Sequence, residues 1–139
     1  MADTTEGKIA EALKAHTVSL AQSMQLPLSW LGWDFNVPAN GRFLRAEHTP
    51  NVTNREFIGS DEPHQYLGIL QISVHAPHGE EEPALRELAG KVVAHFACDL
   101  PLIEDNVEVR IIKRPSTPGF ITDDVDLHIP VMIEYECWA

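Results

Sequence analysis

Apolar positions along the chain change period several times, and each change marks an element. From Thr5 to about Gln25, Ile9, Leu13, His16/Thr17, Leu20 and Met24 recur at helical spacing with alanines filling the gaps, which predicts an amphipathic helix capped by Thr4 or Thr5 and stopped before Pro27. Trp30, Trp33, Phe35 and Val37 then predict a strand, Pro38-Ala39-Asn40-Gly41 a turn, and Arg42 to His48 a second strand. The two are expected to form a hairpin. Thr49 to Pro63 carries Pro50, Asn51, Asn54, Gly59 and Asp61, so it reads as a long connection with room for extended edge structure.

Gln65 to Ala76 is the clearest strand. Tyr66, Gly68, Leu70, Ile72, Val74 and Ala76 alternate with Leu67, Ile69, Gln71, Ser73 and His75; the second set begins apolar and turns polar, as when a strand leaves a covered region. After Pro77-His78-Gly79, Glu80-Glu81-Glu82-Pro83 opens a helix, since acids suit the positive end of the macrodipole and proline fits a first turn. Leu85, Leu88, Ala89, Val92, Val93 and Phe96 give that helix one apolar face. Strands are predicted over Val107 to Lys113 and Val125 to Trp138, separated by Arg114 to Gly119. Pro130 removes a ladder donor and places its strand at an edge or a bulge. The expected fold is α+β: a mainly antiparallel sheet of about five strands with both helices on one face, in the order α-β-β-β-α-β-β, as one domain over residues 1–139.

Composition narrows the function. Ten Lys+Arg against 21 Asp+Glu give a formal charge of −11, which disfavours nucleic-acid binding through phosphates and repels an anionic membrane surface. The 44% hydrophobic content supports a packed core. The amphipathic, acidic N-terminus does not resemble a secretory signal, so a cytoplasmic origin is expected and the sequon Asn51-Val52-Thr53 reads as chance. Cys98, late in the second helix, and Cys137, in the last strand, are expected as buried free thiols.

No residue pattern points to catalysis or to a cofactor. The glycines form no phosphate-binding loop, and no serine sits in a nucleophile elbow. His95 precedes Cys98 by one helical turn, but Asp99 beside them disfavours a thiolate. His75-x-x-His78 with Glu80 and Glu81 has metal-ligand composition; a solvated turn explains it more simply, and no metal is expected. The acids at Glu80 to Glu82 and at Asp123, Asp124 and Asp126 lack calcium-loop spacing. Trp30, Trp33, Phe35 and Phe43 fit core packing of the hairpin or, in part, a subunit contact. Trp138, on the nominally polar face one residue from the end of the chain, suggests a partner surface, because terminal residues fray unless docked.

The stretch HQYLGILQISVHAPHGEEEPALRELAGKVVAHFACD, followed by two strands ending in IPVMIEYE, resembles the phage tail terminator-like family, related in fold to the lambda minor tail protein U. Phe35-Asn36-Val37-Pro38 and Gly41-Arg42-Phe43-Leu44-Arg45 match that family's hairpin pattern; Gly68, Gln71, Val74, Pro77, Gly79 and Phe96 match its strand and helix pattern. The resemblance implies a non-enzymatic virion protein of the tail and neck, assembled in the host cytoplasm. It implies a homo-oligomeric ring, generally hexameric, that caps the head-proximal end of the tail tube and ends its polymerisation. The tail tube protein and a head-tail connector or stopper are the implied partners, with DNA passing through the lumen unbound.

Such a ring needs distinct contact faces. Arg55, Phe57 and Ile58 in the Thr49 to Pro63 connection are the first candidates and the Arg114 to Asp124 loop the second. Arg45, Arg55 and Arg110 are each expected near carboxylates, bridging subunits, and Trp138 completes the set. Two other readings stay open: a different head-tail connector or tail-completion protein, and a small α+β enzyme or ligand-binding domain with a pocket using His75, His128 or Glu134.

Overall fold

The computed structural model describes residues 3–59 and 61–139. Helix α1 runs Thr5–Met24. Thr4 Oγ1 accepts the Gly7 N–H at 3.1 Å, and Gln25 ends the helix in the left-handed region (φ 57°). The Leu26 N–H then bonds back to Ala21 O at 3.1 Å, a Schellman-type stop that satisfies a carbonyl otherwise lost at the helix end. The buried face is Ile9, Ala12, Leu13, Thr17, Leu20 and Ala21. Thr17 is tolerated there because its hydroxyl donates to Leu13 O at 2.7 Å.

The sheet has seven strands, two more than expected: β1 Leu28–Ser29, β2 Phe43–Asn54, β3 Gln65–Ala76, β4 Pro101–Glu104, β5 Val107–Ile111, β6 Ile121–Thr122 and β7 Leu127–Trp138. Their order is β1-β2-β3-β7-β5-β4, with β6 against β7. Every pairing is antiparallel except β1 with β2. Helix α2, Glu82–His95, carries Pro83 in its first turn. It packs with α1 on one face of the sheet, where Leu70, Ile72, Val74, Val109, Ile129, Val131 and Ile133 meet Leu13, Leu20, Leu85 and Val92 in one core. The α+β class and the helices on a single face agree with the sequence.

Four expectations are corrected. The strand over Trp30 to Val37 is a loop, and no hairpin joins it to β2; only Leu28–Ser29 pairs, in parallel, with Leu44–Arg45. Trp30 is buried in the helix-side core while Trp33 is exposed, and a turn closed by Trp33 N–H to Trp30 O (3.0 Å) with Gly32 at φ 82° divides them. Strand β4 was not expected; it forms a hairpin with β5 across Asp105-Asn106, Asp105 taking φ 57°. Val125 belongs to a turn and is 78% exposed, because Asp123 Oδ1 accepts the N–H groups of Val125 and Asp126, each at 2.9 Å, and delays the strand to Leu127. Cys98 lies beyond α2 and is exposed, whereas Cys137 is buried as expected.

The expectation for Pro130 is corrected too: its strand β7 lies inside the sheet between β3 and β5, with an unbroken register against β3, and both strand prolines fall where a ladder locally has no neighbour. Met132 exchanges hydrogen bonds with Ser116 (2.9 and 3.1 Å) on the side of β7 away from β3. Pro130, two residues earlier, turns its nitrogen to that same side, between the β6 pair at His128 and the Ser116 bridge. Pro50 likewise shares the parity of Leu44, whose N–H points outward to Pro27 O (2.9 Å). Beyond Arg45 that edge of β2 is unpaired among the described residues, so neither proline removes a bond from the sheet.

Candidate functional site

The face of the sheet without helices follows from the register. Cross-strand rows run Phe43–His75–His128, Arg45–Ser73–Pro130, Glu47–Gln71–Met132, then Ile69–Glu134, Leu67–Glu136 and Gln65–Trp138. Its polar end, expected to be solvated, is the buried one: Ser73 is 4% and His75 7% exposed, while Leu67 and Ile69 are half-buried. The cover is aromatic, with Phe43 stacked on His75 (4.5 Å, 5°) and Phe35 on Phe43 (5.1 Å).

Arg55, Phe57, Ile58, Trp138 and Arg110 gather at the opposite end. Arg55 Nε donates to Phe57 O at 3.2 Å and Nη2 donates to Ile58 O, so the guanidinium folds the loop onto itself rather than meeting a carboxylate. Phe57 packs on Trp138 with ring centroids 5.9 Å apart. Trp138 is held in place because His64 and Ala139 exchange backbone hydrogen bonds of 2.7 and 3.0 Å, continuing the β3–β7 ladder past it. Beside it Glu108, Arg110 and Glu136 line an open depression, with Arg110 Nη2 3.7 Å from Glu108 Oε2. Despite this anchoring Phe57, Ile58 and Trp138 remain 47%, 95% and 43% exposed. The expected company of carboxylates thus holds for Arg110 alone. Arg45 lies over the Phe43 ring at 5.4 Å, eight register positions from the Gln65–Trp138 row and so roughly 26 Å along the strands from this tip.

The second candidate loop is pinned at Ser116 and by β6. At its end Asp123 and Asp126 meet the histidines. His75 Nδ1 donates to Asp126 Oδ2 at 2.8 Å, and His128 stacks on His75 at 4.6 Å. Burial pushes the His75 pKa down, and the Asp126 hydrogen bond opposes it. The sequence cluster is not assembled: His78 is exposed in its turn, and Glu80 is paired with Arg42 at 2.7 Å. The sequence places Asp126 on the outward face of the last strand and groups it with Asp123 and Asp124; the turn in which Asp123 accepts its N–H, just before β7, is what brings it to His75.

A shared pocket for His75, His128 and Glu134 does not form. Glu134 is paired with Lys113 at 2.6 Å, roughly 20 Å along β7 from His128. A hollow of about 80 Å³ lies between His48, Pro50, Tyr66 and Tyr135, and a more open one of about 530 Å³ lies between the ends of α1 and α2, lined by Leu20, Met24, Lys91 and His95; neither is lined by His75, His128 or Glu134. Cys137 is buried, which pushes its thiol up to about 11, the wrong direction for a nucleophile.

The family model described as phage tail terminator protein matches residues 8–135. The chain belongs to the phage tail terminator family. A solved structure is similar over 95% of this chain and 94% of its own, at 27% identity and a TM-score of 0.79. The comparison with curated proteins finds no match. The terminator match spans both helices and the sheet, and it includes Arg45, Arg55, Phe57, Ile58 and Arg110; Trp138 lies three residues beyond it. Membership makes the protein a structural component of a phage tail. In this terminator the residues that carried the resemblance have structural work: Pro77 packs on Gly41, which sits at φ 71°, Gly79 turns the chain at φ 96°, and Phe96 meets the His16 ring edge-on at 4.7 Å.

Proposed function

We propose that this terminator acts without catalysis, as a closed ring of identical subunits, six in number, seated on the head-proximal end of the tail tube. There it ends tube polymerisation and presents its other face to the head-tail connector or stopper. The observation that carries the reading is the tip formed by Phe57, Ile58 and Trp138, apolar, exposed and yet fixed by Arg55 and by the terminal ladder. Exposed anchors of this kind mark contact surfaces. The acidic balance of −11 suits a lumen through which DNA passes without adhering. Electron microscopy of the purified protein mixed with tail tubes tests the proposal. Rings at one tube end, with tubes that no longer elongate, are expected. Strict monomers together with undecorated tubes overturn it, and a position between connector and portal assigns the chain to the connector side.

A further inference from the structure

The first turn of chain into β7 brings a buried nitrogen on that strand, with nothing to bond, against the acids of the preceding turn. His128 Nδ1 is shielded from solvent and has no hydrogen-bond partner. It faces two carboxylates, with Asp126 Oδ1 at 3.6 Å and Asp123 Oδ2 at 3.9 Å. Both separations are too long for a hydrogen bond. They are close to what two ligands of one ion show, because donors each about 2.0–2.2 Å from a tetrahedral centre lie roughly 3.3–3.6 Å apart. Each carboxylate is already oriented by its other oxygen: Asp123 Oδ1 accepts from Val125 and Asp126 N–H, and Asp126 Oδ2 accepts from His75 Nδ1 at 2.8 Å.

We propose that His128 Nδ1, Asp126 Oδ1 and Asp123 Oδ2 bind one divalent transition-metal ion of the zinc type, with water completing the shell. An imidazole between two carboxylates selects zinc, cobalt or nickel over magnesium or calcium, which prefer all-oxygen shells. The three ligands come from one stretch of six residues, 123–128, and folding adds His75 from β3, which offers a ring nitrogen within 4.8 Å of both Asp126 and His128. His75 is a positioning residue here. Its ring is stacked 4.6 Å from His128 at only 23°, so the in-plane lone pairs of the two rings run side by side and do not converge on one ion. His75 instead keeps its N–H on Asp126, the usual arrangement behind a ligating carboxylate. Asp123 is 48% exposed at its side chain and gives the ion a way in.

Calorimetric titration with zinc chloride, and visible absorption after loading with cobalt(II), test the site on the full chain. The expected result is one zinc per chain, a raised melting temperature that a chelator reverses, and no response to magnesium. H128Q loses binding, D123N weakens it at least tenfold, and H75Q weakens it by roughly ten- to a hundredfold, the range for residues that orient a ligand. Asn at 123 retains an oxygen for the two N–H groups, so D123N keeps the turn folded and decides the matter if H128Q is unstable. H78Q is expected to bind as the wild type does. Absence of zinc binding, or wild-type affinity in D123N, overturns the proposal.

Discussion

Tyr135 lies flat over Gly68, its partner in the β3–β7 ladder, so closely that a methyl group on Gly68 would stand 2.5 Å from Cζ and 2.8 Å from Cε2 of the ring. Glycine at this position is therefore a matter of space; the strand needs no special backbone angle there. The same placement carries the Tyr135 hydroxyl to His48 Nε2 on β2, 2.6 Å away. G68A forces the ring aside, breaks that bond and overpacks the core, and it is expected to cost about 2–3 kcal/mol. Urea unfolding measures the loss; a midpoint equal to the wild type would show that the ring moves freely.

The legibility of the fold followed how locally each element is determined. Helix α1 and strand β3 declare themselves through uninterrupted periods and local caps, and their bounds agree with the structure to within a residue. The Trp30 to Val37 segment misled because aromatic residues promise a strand, while Gly32 and the asparagine and proline residues nearby disperse those side chains to different faces. Strand β4 escaped because it is four residues long with only Leu102 buried; the Asp105-Asn106 turn, with Leu102 and Ile103 before it and Val107 and Val109 after it, was the signal available. At the tip, Arg55, Phe57 and Ile58 were legible as apolar and basic residues in a polar loop, and Trp138 as an oddity. Their joining depends on the long-range ladder, which no local pattern encodes.

Acidification provides a separate check on the histidines. Burial holds His48 below the usual histidine pKa, and burial with the positive influence of His16 does so at His95. Each group takes up a proton more readily in the unfolded chain. The stability associated with their neutral forms is present above about pH 6.5 and is lost as pH falls through the lowered folded-state values. Denaturation midpoints recorded between about pH 8 and about pH 5 should decline toward acid, and the decline should be shallower in H48Q and H95Q.

Lys8 ties α1 to the unexpected hairpin. Its Nζ donates to Asn106 Oδ1 at 2.7 Å and lies 3.1 Å from Asp105 Oδ2. The ammonium is largely enclosed but Asp105 is open to solvent, so screening limits the pair. K8M keeps the aliphatic stem and is expected to lower stability by about 1 kcal/mol, with faster amide exchange concentrated at Asn106 and Val107.

The tip separates assembly from folding more sharply than the arginines do. Ile58 is 95% exposed and has almost no packing to lose, so I58S should leave the unfolding free energy within about 0.5 kcal/mol of the wild type. Trp138 is half-covered by Phe57, and W138A should cost somewhat more. Of the charge reversals, R55E removes donors to two loop carbonyls and disturbs the tip from within. R110E places a third acid beside Glu108 and Glu136, which changes the field at the tip without moving it. R45E acts at the far end of the sheet. If the tip is the contact between subunits or with the tube, I58S and R110E abolish rings seen by electron microscopy while melting as the wild type does, and R45E still assembles. Equal assembly by all of these variants would remove the tip from consideration and return the contact to the buried aromatic end, where R45E would be the variant that fails.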